Sequence, residues 1–317
     1  MNYTHINTLK LSGLLMSSTL ASQATVLFYD SFAAGGSSPN ANQYQSDPAS
    51  TNGINNDSIT RSISESFDGQ APATLGFDSS GWQSNEGAAA TVYGRIDDNS
   101  LIHSSLVDTP GSFNVFRSGS NSSGSQRKEY ARQLTSNLGN GASELYFSAL
   151  VNFTSGLEAN ISIIQGASNV VGFGFDASGN AEVFGSAYGT IDTSTASFAG
   201  GQTHLLVAKV YNDGGTERID LWVNPNDLAN EANNASSQVL SGVELTSGNF
   251  VTGNAISRLR FSAGTGNSIS DPNQRFDEVR GATTWAEAFN VVPEPGNLAL
   301  LALGSLSFLR RRRRSSS

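Results

Sequence analysis

Short apolar runs recur through the middle of the chain, and apolar and polar residues alternate within most of them. Alternation of this kind places successive side chains on opposite faces of a β-strand. Almost no stretch keeps the period of an amphipathic helix. The clearest strand-like runs are ELYFSALVNFT (144–154), NISIIQ (160–165), VVGFGFD (170–176), AEVFG (181–185), THLLVAKVYND (203–213), RIDLWVNP (218–225) and AISRLRFSAG (255–264).

Turn-forming residues separate these runs. The segments DASGN (176–180) and NDGGTE (212–217) predict hairpin connections. Residues 33–60 and 118–126 are poor in apolar residues, and we expect them to form long surface loops. Because the strands are short and evenly spaced and no internal repeat stands out, the pattern predicts one all-β domain, a sandwich or a barrel, over residues 25–290.

Composition narrows the range of partners. Charged residues make up 14% of the chain, against about 25% in an ordinary soluble protein. The formal net charge is −9, and the middle is more acidic still because Lys10 and the arginines at 310–314 lie at the two ends. Such a body repels phosphate backbones, so we expect no nucleic-acid partner. The absence of cysteine excludes disulfides, thiol nucleophiles and Cys-ligated zinc.

The first 24 residues have the features of a secretory signal peptide. One basic residue, Lys10, precedes an apolar stretch over 11–20, and Ser22-Gln23-Ala24 fits a small-x-small cleavage pattern. The strand-like run TVLFYDSF (25–32) follows at once, which favours cleavage after Ala24 over a frayed N-terminal helix.

The last 27 residues (291–317) combine three features in order: a Pro-Glu-Pro motif, an uncharged apolar run over 298–309, and an arginine cluster. As a helix, that run would cover about 18 Å of a roughly 30 Å hydrocarbon core, which is short for a permanent anchor. The arginines would keep their end on the cytoplasmic side. The two prolines would prevent the helix from extending upstream.

This arrangement resembles the PEP-CTERM sorting signal over about Val292 to Arg314. The resemblance implies a recognition motif of Pro293, Glu294 and Pro295. It implies transient anchoring in the inner membrane through the C-terminal helix, and processing by exosortase, a membrane-embedded enzyme of transpeptidase type. It also implies delivery to the cell surface or the exopolysaccharide matrix of a Gram-negative bacterium. A plain tail anchor or a disordered basic end is the alternative. The implied cytoplasmic stop is Arg310, Arg311, Arg312, Arg313 and Arg314.

The body resembles the concanavalin A-like (laminin-G-like) jelly rolls found in many proteins with such tails. The similar pieces are LFYDSF (27–32), HLLVAKVYNDGGTERIDLWVNP (204–225) and RFDEVRGATTWAEAF (275–289). The resemblance implies an antiparallel jelly-roll β-sandwich between the signal peptide and the sorting helix. It is a likeness of fold, and a fold does not determine a function.

We predict no catalytic residues. No G-x-S-x-G elbow accompanies the two histidines of the mature chain, His103 and His204, and His204 lies inside an alternating strand. Glucanases of this fold place two carboxylates on one face of a strand, about 5 Å apart. The closest acidic pairs here would point to opposite faces of a strand. These pairs are Glu65 with Asp68, Asp97 with Asp98, and Asp277 with Glu278.

Two kinds of binding site remain as hypotheses. The resemblance to concanavalin A-like glucanases implies a structural calcium held by Asp277 on the closing strand against N-terminal loops, and Asp30 lies near the first strand. A carboxylate facing water or Arg280 is the alternative. No other cofactor is expected. For glycans, Trp82 in the polar segment SSGWQSNEG is the best aromatic candidate. We expect Trp222 to pack in the core and Trp285 to cover the edge of the sandwich.

The sequence therefore predicts an exported, non-enzymatic protein of the cell surface or biofilm matrix, with weak glycan binding as a further hypothesis. The expected partners are exosortase, extracellular polysaccharide and, transiently, the inner membrane. One alternative is a divergent carbohydrate-active enzyme, a glycoside hydrolase or lyase, whose carboxylates lie on different strands. Another is a purely structural spacer.

Overall fold

The structure of the protein is a computed structural model. It describes residues 26–30, 74–77, 83–84, 92–97, 101–104, 106, 112–117, 128–138, 142–166, 169–186, 189–246, 250–251, 256–263 and 274–289. The predicted signal peptide and sorting tail lie outside these ranges. Within them, no helix has the length and apolar character that crossing a bilayer requires. The limits proposed for the three regions of the chain stay predictions.

The described residues are almost entirely β-structure, with two short 3₁₀ helices at Glu231–Ser237 and Ala286–Ala288. The strands are β1 (Val26–Asp30), β2 (Thr74–Leu75), β3 (Gln83–Ser84), β4 (Val92–Asp97), β5 (Ser112–Arg117), β6 (Lys128–Leu138), β7 (Glu144–Asn152), β8 (Ala159–Gln165), β9 (Asn169–Phe175), β10 (Asn180–Phe184), β11 (Thr190–Ser197), β12 (Thr203–Asp213), β13 (Thr216–Val223), β14 (Gln238–Glu244), β15 (Ile256–Ala263) and β16 (Gln274–Ala282).

The strands form two antiparallel sheets. The first sheet has the order β14-β13-β12-β7-β16-β1-β2, with β5 also pairing with β16 and with β4. The second has the order β11-β10-β9-β8-β15-β6-β3. All seven strand-like runs of the sequence are strands here, and the predicted antiparallel β-sandwich is confirmed. Both predicted hairpins are also present, between β9 and β10 and between β12 and β13.

The two sheets bury their facing sides against each other. On β7, Leu145, Phe147, Ala149 and Val151 belong to the core between the sheets, as the alternation predicts. Aromatic rings join the layers: the centroids of Phe261 on β15 and Phe276 on β16 lie 4.5 Å apart in a stacked pair.

The outer face of the first sheet carries a second apolar cluster. Leu101, Leu106 and the segment after β16 supply part of it. Trp285 packs edge-on against Trp222, with ring centroids 5.2 Å apart, so it covers this outer face rather than the edge of the sandwich as expected. The buried members are Leu101, Tyr146, Leu150, Leu205, Val207, Trp222, Ala282, Trp285, Ala288 and Phe289.

Candidate functional site

A cleft of about 550 Å³ opens on the outer face of the first sheet, where β13 and β14 meet the 3₁₀ helix at Glu231–Ser237. We call it the Trp222 cleft. Amide, carboxylate and hydroxyl groups dominate its wall. The lining residues are Asp220, Trp222, Asn230, Glu231, Ala232, Ala235, Gln238 and Ser241.

Strand alternation places two of these residues in the cleft. On β13, Ile219 and Leu221 point into the core between the sheets, so Asp220 and Trp222 point outward. Trp222 is only 2% exposed, because Trp285 covers one side of it. The indole therefore forms part of the cleft floor and offers no open face for stacking.

The polar segment between β13 and β14 is fixed over the cleft by one buried amide. The Oδ1 atom of Asn234 accepts the N–H groups of Asn226 at 2.8 Å and Asp227 at 2.9 Å. Its Nδ2 group donates to the carbonyls of Asp227 and Asn230 at 2.6 and 2.9 Å. Asn230 in turn caps the 3₁₀ helix by accepting the N–H of Ala232 at 3.1 Å. These bonds hold Asn230 and Glu231 at the rim.

Lys209 ties Glu231 to the sheet. Its ammonium lies 2.9 Å from Glu144 Oε2 and 3.1 Å from Glu231 Oε1. The hydroxyl of Tyr146 lies 2.7 Å from Glu231 Oε2 and 3.0 Å from Glu144 Oε1. Burial acts to lower the pKa of Lys209, but the two carboxylates outweigh it and the net shift is upward. Burial and then the same carboxylates raise the pKa of Tyr146, so Lys209 stays charged and Tyr146 neutral.

Asp220, unlike Glu231, is held by a backbone N–H group, together with a tyrosine hydroxyl. Its Oδ1 atom accepts the N–H of Gly242 at 2.5 Å and lies 3.3 Å from the Tyr211 hydroxyl. Gly242 has a φ of +63°, a conformation that glycine adopts without strain, and the pairing of β13 with β14 is irregular here. Burial, followed by the charge of Asp220 and its hydrogen bond, raises the pKa of Tyr211. No ion pair involving Asp220 occurs among the described residues.

The acidic pair on β16 does not follow the predicted pattern. Asp277 and Glu278 were expected on opposite faces of the strand, and this is wrong. Between Asp277 and Arg280 the register with β7 shifts by one residue, and Glu278 has a φ of +50°. This bulge turns both carboxylates to the outer face of the first sheet.

The bulge residues form a buried network, which we call the bulge cluster: Tyr29, Asp277, Glu278 and Arg280. Glu278 accepts the Tyr29 hydroxyl at 2.9 Å and pairs with the Arg280 guanidinium. Arg280 also donates to the Phe289 carbonyl at 2.7 Å and lies over the Tyr29 ring. All four side chains are at most 3% exposed.

Calcium at Asp277 finds little support in these contacts. Both carboxylate oxygens accept backbone N–H groups, Oδ2 from Leu101 at 3.1 Å and Oδ1 from Glu278 at 2.8 Å. A calcium ion needs six or more oxygen ligands. Within the described ranges, no group of three or more histidine, aspartate or glutamate side chains is arranged for a metal. The described surroundings do not supply these ligands, the side chain of Asp30 is not described, and calcium at Asp277 stays a prediction.

The histidines have structural surroundings. His204 is buried among phenylalanine rings, with Nε2 at 3.0 Å from the Ala199 carbonyl and Nδ1 at 3.1 Å from Asn224 Nδ2. This pattern assigns the proton to Nε2. Burial lowers the pKa of His103; a hydrogen bond with Asn224 opposes this, and the charge of His204 adds to it. The hydrogen-bond partners of the two His204 ring nitrogens, a carbonyl and an amide, are not nucleophiles.

A second polar group lies on the outer face of the second sheet. The atoms Asn160 Oδ1, Ser162 Oγ and Ser262 Oγ are buried there without hydrogen-bond partners among the described residues. Two glycines on β9 leave room beside them. The ring of Phe184 fills the space over Gly172, and the Asn160 amide fills that over Gly174.

The other predicted site residues cannot be compared with the cleft. Trp82, Glu65, Asp68, Asp98, the Pro-Glu-Pro motif at 293–295 and the arginines at 310–314 all lie outside the described residues. Asp97 ends β4, and its side chain is not described. Sequence reasoning missed the Trp222 cleft, although Asp220 and Trp222 alternate onto one face and an asparagine-rich segment follows them.

Residues 291–314 match the family model of the PEP-CTERM protein-sorting motif. The predicted sorting signal is thereby confirmed, and it indicates an exported, membrane-transiting protein that is sorted by exosortase. The motif covers the tail alone. No curated protein matches the chain.

Three solved structures illustrate what the body is similar to. The exoplasmic/lumenal domain of VIP36 in its Ca²⁺-bound form is 10% identical, with a TM-score of 0.36, covering 62% of this chain and 90% of that one. A glycosyl hydrolase family protein from Mycobacterium fortuitum is 12% identical, with a TM-score of 0.37 and coverages of 81% and 99%. Domain 4 of AbnA, an extracellular arabinanase from Geobacillus stearothermophilus, is 17% identical, with a TM-score of 0.31 and coverages of 62% and 86%. Likenesses at this level carry no argument about what the chain binds or does.

Proposed function

We propose that the protein is displayed at the cell surface or in the extracellular matrix, where it binds glycan in the Trp222 cleft without turning it over. The observation that supports glycan binding is the composition of the cleft wall. Two amides (Asn230, Gln238), one hydroxyl (Ser241) and two carboxylates (Asp220, Glu231) converge on one cavity of about 550 Å³. The amides and the hydroxyl can donate to and accept from sugar hydroxyls, and the carboxylates can accept from them.

The state of the carboxylates favours binding over hydrolysis. A glycosidase needs one carboxyl group as a proton donor and a second as a nucleophile or base. Here Glu231 accepts from Lys209 and Tyr146 through both oxygens, and Asp220 accepts the N–H of Gly242. Both act as hydrogen-bond acceptors that hold the cleft together, and neither is presented as an acid.

The sorting tail supports the location. After exosortase processing of the segment around Pro293, Glu294 and Pro295, the body would be released from the inner membrane and would meet extracellular polysaccharide. The intact mass of the protein from its native cells tests this step. A species that begins near Thr25 and ends near the Pro-Glu-Pro motif is expected, and a mass that retains all five arginines would contradict it.

Binding is tested with the full-length protein on a glycan array, together with a reducing-sugar assay on every polysaccharide that binds. We expect binding without sugar release. Gln238→Ala should weaken binding about 2- to 10-fold through the loss of one hydrogen bond. Gln133→Ala, on an exposed position of β6, is the matched control. Release of reducing sugar would instead support the carbohydrate-active enzyme, and no binding to any glycan would support the spacer.

A further inference from the structure

We infer that the Trp222 cleft selects glycans that carry protonated amino groups. This inference rests on the proposed function and names the class of sugar that the same cleft takes. It comes from the charges around Asp220, not from the polar character of the wall alone.

Asp220 is a carboxylate with little exposure to water and, among the described residues, no ion-pair partner. It is 9% exposed and lines the cleft. Charged groups removed from water are ordinarily paired, because losing hydration is costly. Oδ1 is fixed by the N–H of Gly242 and the Tyr211 hydroxyl. No described group donates to Oδ2, which leaves that oxygen as an acceptor for a ligand.

The nearby cations are engaged by other carboxylates. Lys209 is the cross-strand neighbour of Asp220, but its ammonium pairs with Glu144 and Glu231. Arg218 lies two residues before Asp220 on β13. Its guanidinium pairs with Asp213 at 3.4 Å and donates to the Gly242 carbonyl at 2.7 Å. The cleft and its surroundings therefore keep an excess of negative charge.

A positively charged ammonium group on a sugar ring is complementary to this excess of negative charge. It can donate to Asp220 as a charge-assisted hydrogen bond while neighbouring hydroxyls meet Gln238, Ser241 and Asn230. An N-acetylated sugar of the same shape lacks the charge, and a uronate would be repelled. Hydrogen bonds to charged groups are stronger than neutral ones, so we expect about tenfold tighter binding of the aminated form.

The test is calorimetric titration of the full-length protein with three β-linked tetrasaccharides: glucosamine, N-acetylglucosamine and glucose. The glucosamine oligomer should bind about tenfold more tightly than the other two. The difference in affinity should decrease at high salt, because salt screens the attraction between the ammonium groups and the Asp220 carboxylate. Asp220→Asn should remove the advantage and leave the residual neutral binding. Asp192→Asn makes the same change at an exposed position of β11 and should leave the advantage intact.

The outcomes separate the inference from the proposed function. Equal affinities for the three oligomers would overturn the inference and leave glycan binding in place. Persistence of the advantage in Asp220→Asn would also overturn it, since the preference would then come from the general acidity of the body. No binding of any oligomer would remove both. The comparison among ligands tests the preference itself without any variant. If Asp220→Asn does not fold, Asp220→Ser removes the same charge and takes its place in the test.

Discussion

The outer face of the first sheet holds two groups of acidic side chains. They differ in the partners of their carboxylates and in whether those carboxylates line a cavity. In the bulge cluster, Glu278 meets Arg280 and Tyr29, and the carboxylates are at most 1% exposed. In the Trp222 cleft, Asp220 accepts from a backbone N–H and contacts a tyrosine hydroxyl, and it lines an open cavity. No cation of the described part of the chain lies within pairing distance of it.

This difference indicates that the bulge cluster stabilises the fold, whereas Asp220 is available to bind a ligand. A carboxylate that is at most 1% exposed and paired with a guanidinium is inaccessible to a ligand, and removing its partner is costly. A carboxylate held through one oxygen beside a cavity keeps capacity for a ligand. Carboxylates on one face of the sheet therefore either stabilise the fold or bind a ligand, and the contacts around each one determine its role.

The largest expected effect comes from opening the bulge cluster. Arg280→Met should lower the free energy of unfolding by about 3–5 kcal/mol, because Glu278 would be left as an unpaired buried charge. Denaturant unfolding of the full-length protein measures this. Arg258→Met removes a more exposed arginine whose bond to the Gly166 carbonyl lies at the surface, and it should cost less than about 1 kcal/mol. Equal losses in the two variants would contradict the structural role of the cluster.

A smaller effect is expected at Lys209, which borders the cleft. Lys209→Met should lower the free energy of unfolding by about 1–2 kcal/mol, because its two ion pairs are only partly buried. The same change makes the cleft more negative and should widen its preference for aminated over N-acetylated oligosaccharides. Denaturant unfolding measures the loss of stability, and calorimetric titration of the same preparation measures the change in ligand preference. A narrower preference would mean that Lys209 binds the ligand itself.

The smallest effect is a loss of stability in alkali. Because the pKa of Lys209 is higher in the folded than in the unfolded state, its stabilising contribution is complete below the unfolded value and disappears as pH rises through the folded one. The raised pKa of Tyr146 acts in the same direction. We expect unfolding free energy to fall above about pH 10, with a shallower fall in Lys209→Met. Identical slopes in the two proteins would contradict this.

The strands were predictable from the sequence, and the two acidic groups were not. Alternation in ELYFSALVNFT and THLLVAKVYND is a local property, and both segments are strands as expected. The bulge at Glu278 depends on one non-glycine residue with positive φ, which a strand pattern does not reveal. The cleft depends on contacts between distant residues, such as Tyr146 with Glu231, which lie 85 positions apart.

The central claim is that ligand binds at the Trp222 cleft, whereas the sequence favoured Trp82. The chain has three tryptophans, so the full-length protein labelled with 5-fluorotryptophan should give one ¹⁹F signal each for Trp82, Trp222 and Trp285. These are assigned by single Trp→Phe substitutions. Titration with the glucosamine tetrasaccharide should shift the Trp222 signal most and Trp285 less, and leave Trp82 in place. A shift of Trp82 alone would contradict the account and move the binding site to the segment 79–87.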